Sequence, residues 1–379
     1  MNAKAARTNA DEVWPPLPRL NPQLVGQEQA ERTLLDAFHG ERMAHAWLIS
    51  GPKGIGKATL AHRFARYVLA NGGNEGSGPS LFADDLPKSE PDTLWTDPAS
   101  ALFQRVAAGG HADLMCIERS LNKQSKLRGE IVIDDVRTIG GFMSLTAGEG
   151  GWRVVVIDSA DEMNRNAANA VLKVLEEPPP RAMLVLVSHN PGRLLPTIRS
   201  RCRNLVMSGL SDPHMETLLE TYLPDVGDGD RNQLAKLAEG SIGRAVDLSD
   251  AGGLLLYRDV LSLLATCQRL DVPELHKLAG NWAKVGAEDT FSTAMNILQA
   301  VLSRLIRELA ANRGGAGLAP GEQEIFQNLS VTPDLDRWLK VWEKINTLLD
   351  RTDAINLDRK QVVLNIFLEI EGAARSGQR

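Results

Sequence analysis

The sequence predicts an α/β fold: a parallel sheet layered with helices, then a small helical domain, then an all-helical C-terminal third. Three observations carry this. An apolar run at 46–49 leads into Gly51-Pro52-Lys53-Gly54-Ile55-Gly56-Lys57, and Leu60, Ala61, Phe64, Ala65, Val68 and Leu69 then recur at helical spacing. Short continuous apolar runs at 154–157 and 183–187 read as buried strands set between helical stretches. Beyond residue 208 the strand pattern stops and amphipathic helical periodicity takes over.

Size and composition bound the reading. A chain of 379 residues suggests two or three domains, and 43% apolar residues allow a real core. A net charge of −6 argues against coating nucleic acid through overall charge. The sequence shows neither an apolar run of membrane-spanning length nor a signal-peptide core, so no membrane partner and a cytoplasmic location are expected. Cys116, Cys202 and Cys267 lie far apart with no CxxC pair, which supports neither a disulfide framework nor a zinc module.

In chain order, residues 1–19, with three prolines, read as a loose lead-in. A helix is expected over 27–38, with Ala30, Leu34, Leu35 and Phe38 on one side. Leu24 to Gln27 just before it admit two readings, packing near a nucleotide base or simply starting the helix. Strand, glycine-rich loop, lysine and helix then form the P-loop arrangement. Its glycines let backbone N–H groups close on phosphate oxygens, and the helix N-terminus adds partial positive charge. Gly51, Pro52, Lys53, Gly54, Ile55, Gly56 and Lys57, with Ala58 and Thr59 behind them, are the candidate nucleotide-binding residues; Lys57 would reach the outer phosphates. The motif places Ser or Thr after the lysine, where the hydroxyl ligates Mg²⁺. Ala58 has no hydroxyl, and Thr59 is turned about 100° further round the helix.

Residues 71–98 read as a long loop or insertion, 99–108 as a short helix, 112–117 as a second strand and 119–129 as a basic loop whose plain reading is solvated charge. Asp134 is expected to cap a helix carrying Val136, Ile139, Phe142 and Met143. The run ending in Asp158 reads as a central strand with a carboxylate at its C-terminal tip, where ligands sit in open α/β sheets. Asp158 is therefore a candidate to hold Mg²⁺ through water. The next position, where hydrolysing enzymes of this type carry Glu, is Ser159; Asp161 and Glu162 come too late to replace it with assurance. Asn164 or Asn166 caps a helix that Pro178, Pro179 and Pro180 stop. His189 and Asn190 follow the 183–187 strand, beside the expected phosphate site, as candidates to sense a γ-phosphate or to cap a turn. A short helix at 194–198 leads to Arg199, Arg201 and Arg203, either surface charge or cations that reach a neighbour's phosphates. Residues 205–207 close the sheet. Short helices at 212–222 and 232–239 and one opening at Gly240 make the small helical domain. Helices at 254–267, 273–285, 288–312, 333–350 and 354–372 follow, with a Leu298, Val301, Leu302, Leu305, Leu309 stripe that suits a bundle core or an oligomer collar equally.

GPKGIGKAT, VVVIDSADEMN, AANAVLKVLEEPPP, LVLVSHNPGRLLPTIRSRC and GSIGRA occur in this order and at this spacing. The combination resembles the AAA+ clamp-loader subunits of bacterial replication, strongly over 20–250 and as a helical pattern beyond. The resemblance implies a lead-in at 1–19, an AAA+ nucleotide-site domain at 20–207, a helical lid at 208–252 and a collar at 253–379. It implies a hetero-pentamer with motor subunits and a delta subunit, which places a sliding clamp on primer-template DNA. By matching position, Arg201 is the arginine finger offered to a neighbour's ATP, His189 or Asn190 is sensor 1, and Arg244 is sensor 2. Departures matter as well. Ala58, Ser159 and the missing four-cysteine zinc module set the chain apart from the motor subunits, so no zinc is expected and ATP or ADP is expected to bind weakly, without hydrolysis. Two other readings remain at this point: a motor ATPase in which Asp161, Glu162 or Thr59 compensates, and a stand-alone P-loop regulator or kinase. An Arg201 folded inward and locked in an ion pair would overturn the finger reading.

Overall fold

The computed structural model describes residues 15–40, 43–73, 93–122, 124–149, 151–284, 286, 288–311, 321–329, 334–355 and 357–375. The chain forms two compact units, residues 1–218 with 240–243, and residues 219–239 with 244–379.

The first unit holds α1 (Glu28–His39), β1 (Ala46–Ser50), α2 (Lys57–Asn71), α3 (Ala101–Ala107), β2 (Leu114–Ile117), α4 (Ile133–Val136), α5 (Thr138–Ser144), β3 (Arg153–Ile157), α6 (Arg165–Glu176), β4 (Ala182–Ser188), α7 (Pro196–Arg199) and β5 (Arg203–Val206). The strands form one sheet in the order β2-β3-β4-β1-β5, every pairing parallel. The three central strands are buried along their whole length, while β2 and β5 at the edges are partly exposed. That is why the central runs are apolar without alternation: both faces are covered. Successive residues still serve opposite faces. Trp47, Ile49, Val154, Val156, Val185 and Val187 pack with α1 and α2. Leu48, Val155, Ile157, Leu184 and Leu186 pack with α4, α5, α6 and α7.

Several local expectations shift. Asp134 does not cap: it lies inside α4 and pairs with Arg137 at 3.1 Å. Asp135 takes the closing role, its Oδ2 accepting the Val132 N–H at 2.9 Å, because only the third helical position reaches back to that donor. The single helix expected there is two short ones, α4 and α5. Asn164, not Asn166, caps α6, accepting the Ala167 N–H at 3.0 Å. The last strand ends at Val206 rather than Met207. The lead-in is tied down at its end: Arg66 donates to the carbonyls of Arg19 and Asn21, and Arg63, paired with Glu31, donates to that of Pro22. The basic loop is organised as well, with Leu121 bridged to Leu127 and Arg119 paired with Glu162 at 2.9 Å. Most of the expected 71–98 loop, and the start of the lead-in, lie outside the described residues.

Beyond β5 every described element is helical: α8 (Asp212–Tyr222), α9 (Asp228–Ala238), α10 (Ile242–Asp250), α11 (Gly253–Ala265), α12 (Val272–Trp282), α13 (Glu288–Ala311), α14 (Glu322–Leu329), α15 (Leu335–Ile355) and α16 (Arg359–Arg375). In the second unit α13 packs against α11 and α15, and α16 against α12 and α15. Leu298, Val301, Leu302 and Leu305 are buried there, so this stripe is packed inside the unit. α14 was not expected from the sequence; eight residues after a Gly/Ala/Pro stretch carry too little periodicity. No helix among the described residues is long and apolar enough to cross a membrane.

Candidate functional site

The sheet brings three strand tips to one edge. Ser50 of β1 pairs in register with Ser188 of β4, and Ile157 of β3 with Leu186, so Gly51, His189 and Asp158 all leave the sheet at its C-terminal side. Strand β4 separates the P-loop strand from the strand that ends at Asp158.

The P-loop conformation depends on its glycines. Gly51 has φ +147°, and a Cβ there would lie 2.2 Å from the Met207 carbonyl oxygen. Gly54 has φ +77°, and a Cβ there would lie 2.5 Å from the Ser241 hydroxyl oxygen. The loop's outward carbonyls are held: the Ser241 hydroxyl donates to Lys53 O at 2.7 Å, and the Gly243 N–H to Gly54 O at 3.0 Å. Gln27 donates to Ile55 O at 3.3 Å and to Ser208 O at 3.0 Å. Its amide therefore fastens the loop to the chain leaving β5. Of residues 24–27, Gln27 thus holds the P-loop, and Leu24 lies beside Gly56.

Lys57 opens α2 and is 3% exposed. Its ammonium donates to Gly51 O at 2.7 Å and to Pro52 O. Burial pulls its pKa down to about 8, against the opposing charges of Asp158 and Asp161. Ala58 brings no oxygen to the helix start, and Thr59 is buried.

Asp158 stands directly after β3. Burial, with Glu118 nearby, pushes its carboxyl above the usual range; the Ser159 N–H and Lys57 oppose this. Ser159 has φ +59°, and its hydroxyl lies 3.2 Å from His189 Nε2. Burial, then the charges of Lys57 and Lys53, pull the His189 pKa down, so its ring is neutral at pH 7. Its Nδ1 has no partner among the described residues. Asp161 is committed elsewhere. Oδ1 accepts the His189 N–H at 2.9 Å and Oδ2 the Asn190 N–H at 3.0 Å, so both oxygens clamp the end of β4. Burial would raise this carboxyl, yet those donors hold it below its ordinary value. Each oxygen thus already takes one backbone donor.

Tested against a nucleotide, the donor set divides. The glycine cradle and Lys57 fit phosphate oxygens, while the unpartnered ring nitrogen of His189 is itself buried. The usual metal grip is incomplete, since residue 58 has no hydroxyl to offer a cation.

Arg201 follows α7. Its Nη1 donates to Thr197 O at 3.0 Å, and its Nη2 pairs with Glu176 Oε1 at 2.9 Å. The ion pair is in solvent, with side-chain exposures of 36% for Arg201 and 49% for Glu176. It is neither inward nor locked: exposed pairs are worth about 0.2–1 kcal/mol. Arg203 lies over the Trp47 ring, 4.9 Å from its centre. Arg244 belongs to the second unit, on α10, with Nη1 3.9 Å from Glu239 Oε2. Sequence reading assigned no role to Glu176 or Ser241, and took in Gln27 only as part of the 24–27 stretch. Glu176 lies in AANAVLKVLEEPPP and Arg201 in LVLVSHNPGRLLPTIRSRC, so two of the motifs that carry the resemblance touch.

Residues 26–211 match the family described as "DNA polymerase III, delta subunit". The chain is 39% identical over 159 residues to DNA polymerase III subunit delta' of Pseudomonas aeruginosa, covering 42% of each chain. It is 28% identical over 239 residues to subunit delta' of Bacillus subtilis, covering 62% of this chain and 61% of that one. It is 25% identical over 285 residues to subunit tau of Bacillus subtilis, covering 73% of this chain and 46% of tau. The chain thus spans less than half the length of the Pseudomonas delta' and Bacillus tau relatives.

Proposed function

We propose, for a chain that belongs to the DNA polymerase III delta'/clamp-loader family, that it is a delta'-type subunit that does not hydrolyse ATP itself. It assembles in the cytoplasm with motor subunits and a delta subunit in a hetero-pentamer that loads a sliding clamp on primer-template DNA. It offers Arg201 to the ATP of a neighbouring motor subunit. Its own site holds ATP or ADP weakly through backbone N–H groups, Lys57 and the His189–Asn190 corner. A bound nucleotide would supply no chemistry of its own here beyond ordering the loop.

The observation that carries this reading is an unequal loss. The phosphate cradle keeps its glycines and lysine, while residue 58 lacks an oxygen, Ser159 takes the place of a base, and Asp161 is spent on two backbone donors. Arg201 meanwhile stays at the surface, in a pair weak enough to exchange for a phosphate. A guanidinium on a transferring phosphoryl group is worth on the order of 10³-fold or more in rate. Arg201→Ala in the reconstituted complex is therefore expected to cut clamp-loading ATPase by roughly that factor, with assembly intact by sedimentation. Undiminished ATPase in an assembled complex would remove the finger role.

A further inference from the structure

Gln27 stands just before α1, where Ser, Thr, Asp or Asn would cap the helix, yet its side chain caps nothing. It is 7% exposed and turned to the P-loop instead. Its side-chain nitrogen has two partners, Ile55 O at 3.3 Å and Ser208 O at 3.0 Å. Both are carbonyl oxygens, which only accept, so the amide nitrogen and not the amide oxygen must face them. Both N–H bonds of that nitrogen are thereby used.

Two further donors act on the neighbouring carbonyls. The Ser241 hydroxyl holds Lys53 O, and the Gly243 N–H holds Gly54 O. Gln27, residues 240–243 and the P-loop all belong to the first unit. Three successive carbonyls, of residues 53, 54 and 55, are thus each held by a donor outside the loop. In a planar trans peptide the C=O and the following N–H point in opposite directions. Holding those carbonyls therefore turns the N–H groups of Gly54, Ile55 and Gly56 away from the clamps. None of these three N–H groups donates to another described residue. Successive unpartnered N–H groups of this kind make a nest for an anion.

We propose that Gln27 is a positioning residue for phosphate binding: by holding the Ile55 carbonyl it aims the Gly56 N–H at a phosphate oxygen, without touching the ligand itself. The inference rests on the reading of this loop as a nucleotide site. Gln27 also ties the same peptide to Ser208, next to Met207, whose carbonyl oxygen closes on Gly51. One side chain thus sets the far end of the loop against the stretch that confines its start. Every donor in the arrangement belongs to the chain, so it does not depend on the hydroxyl missing at residue 58.

The test uses the full chain, with no metal added and with ADP and inorganic pyrophosphate as probes. Pyrophosphate carries phosphates without a base, so it separates aiming of the loop from packing of residues 24–27 against a base. Gln27→Met and Gln27→Glu keep the length of the side chain and remove both donors. Each is expected to weaken both probes about tenfold, the scale of one buried hydrogen bond lost, and to shrink the shift that pyrophosphate causes in the Gly56 amide resonance. Thermal unfolding checks that the fold persists, and the glutamate variant decides if the methionine variant does not fold. A loss for ADP with pyrophosphate unchanged assigns Gln27 to the base side and overturns the inference, while the nucleotide site stands. Unchanged affinity for both probes in a folded variant overturns it too, and leaves Gln27 as a structural bond alone. Should pyrophosphate leave the amides of residues 54–56 unmoved in the unaltered chain, the reading of the loop as a phosphate site fails first and takes the inference with it.

Discussion

Lys57 shows how one side chain can serve a loop and a ligand in turn. Its ammonium satisfies two carbonyls of the P-loop, and burial brings its pKa down to about 8. A phosphate beside it favours the charged form, so binding raises that pKa. The sign follows by linkage. Below about pH 8 the lysine is already protonated and nucleotide affinity is at its full value; above it, binding must first take up a proton. Affinity for ATP is therefore expected to fall as pH rises from 8, by up to about tenfold per pH unit until the pKa of the complex is reached. Lys57→Met should bind more weakly and with no such slope. Titration calorimetry between pH 7.5 and 9.5 compares the two, and parallel profiles would dismiss the lysine as the proton acceptor. At the same scale, Ala58 and Ser159 were readable directly, because each is a missing functional group at a fixed offset in a motif. The fate of Asp161 was not, since its donors are the N–H groups of residues 189 and 190, on another strand.

At the scale of elements, periodicity located β1, β3, β4, α2 and α6, whose apolar positions are many and regular. It did less well where an end is set by one side chain. Asn164 and Asn166 were equal candidates to start α6; the structure chooses Asn164, which also donates to Glu130 at 3.1 Å. Loss of such a cap costs about 1 kcal/mol. Asn164→Ala should therefore quicken amide exchange along the first turns of α6 about fivefold, and Asn166→Ala, at an exposed position, should leave it nearly unchanged. Equal effects would assign the cap wrongly. The same element ends at Glu176, so its position also fixes the partner of Arg201. For α14 no local pattern sufficed: its first residue, Glu322, is a buried charge whose place depends on Arg304 and Tyr257.

For the whole molecule, the two compact units divide the work differently from a reading by composition. Residues 240–243 belong with the sheet and fasten the P-loop, whereas Arg244, the next residue, belongs with the helical unit. The proposed role requires company. Mixed with motor and delta subunits of a bacterial clamp loader, the chain should sediment as part of a defined complex; a stand-alone regulator or kinase would sediment by itself, and that outcome would refute the proposed assembly. Taken alone, the sequence determined the α/β class, the buried strands, the phosphate loop and the absent metal ligand, because each is written in neighbouring residues at a fixed spacing. The tertiary structure alone decided which carboxylate meets Arg201, where Asp161 spends its oxygens and which partners hold the buried Glu322. Those pairings join residues far apart in the chain, and a charged side chain takes whichever partner the packing of the surrounding helices and strands brings within reach.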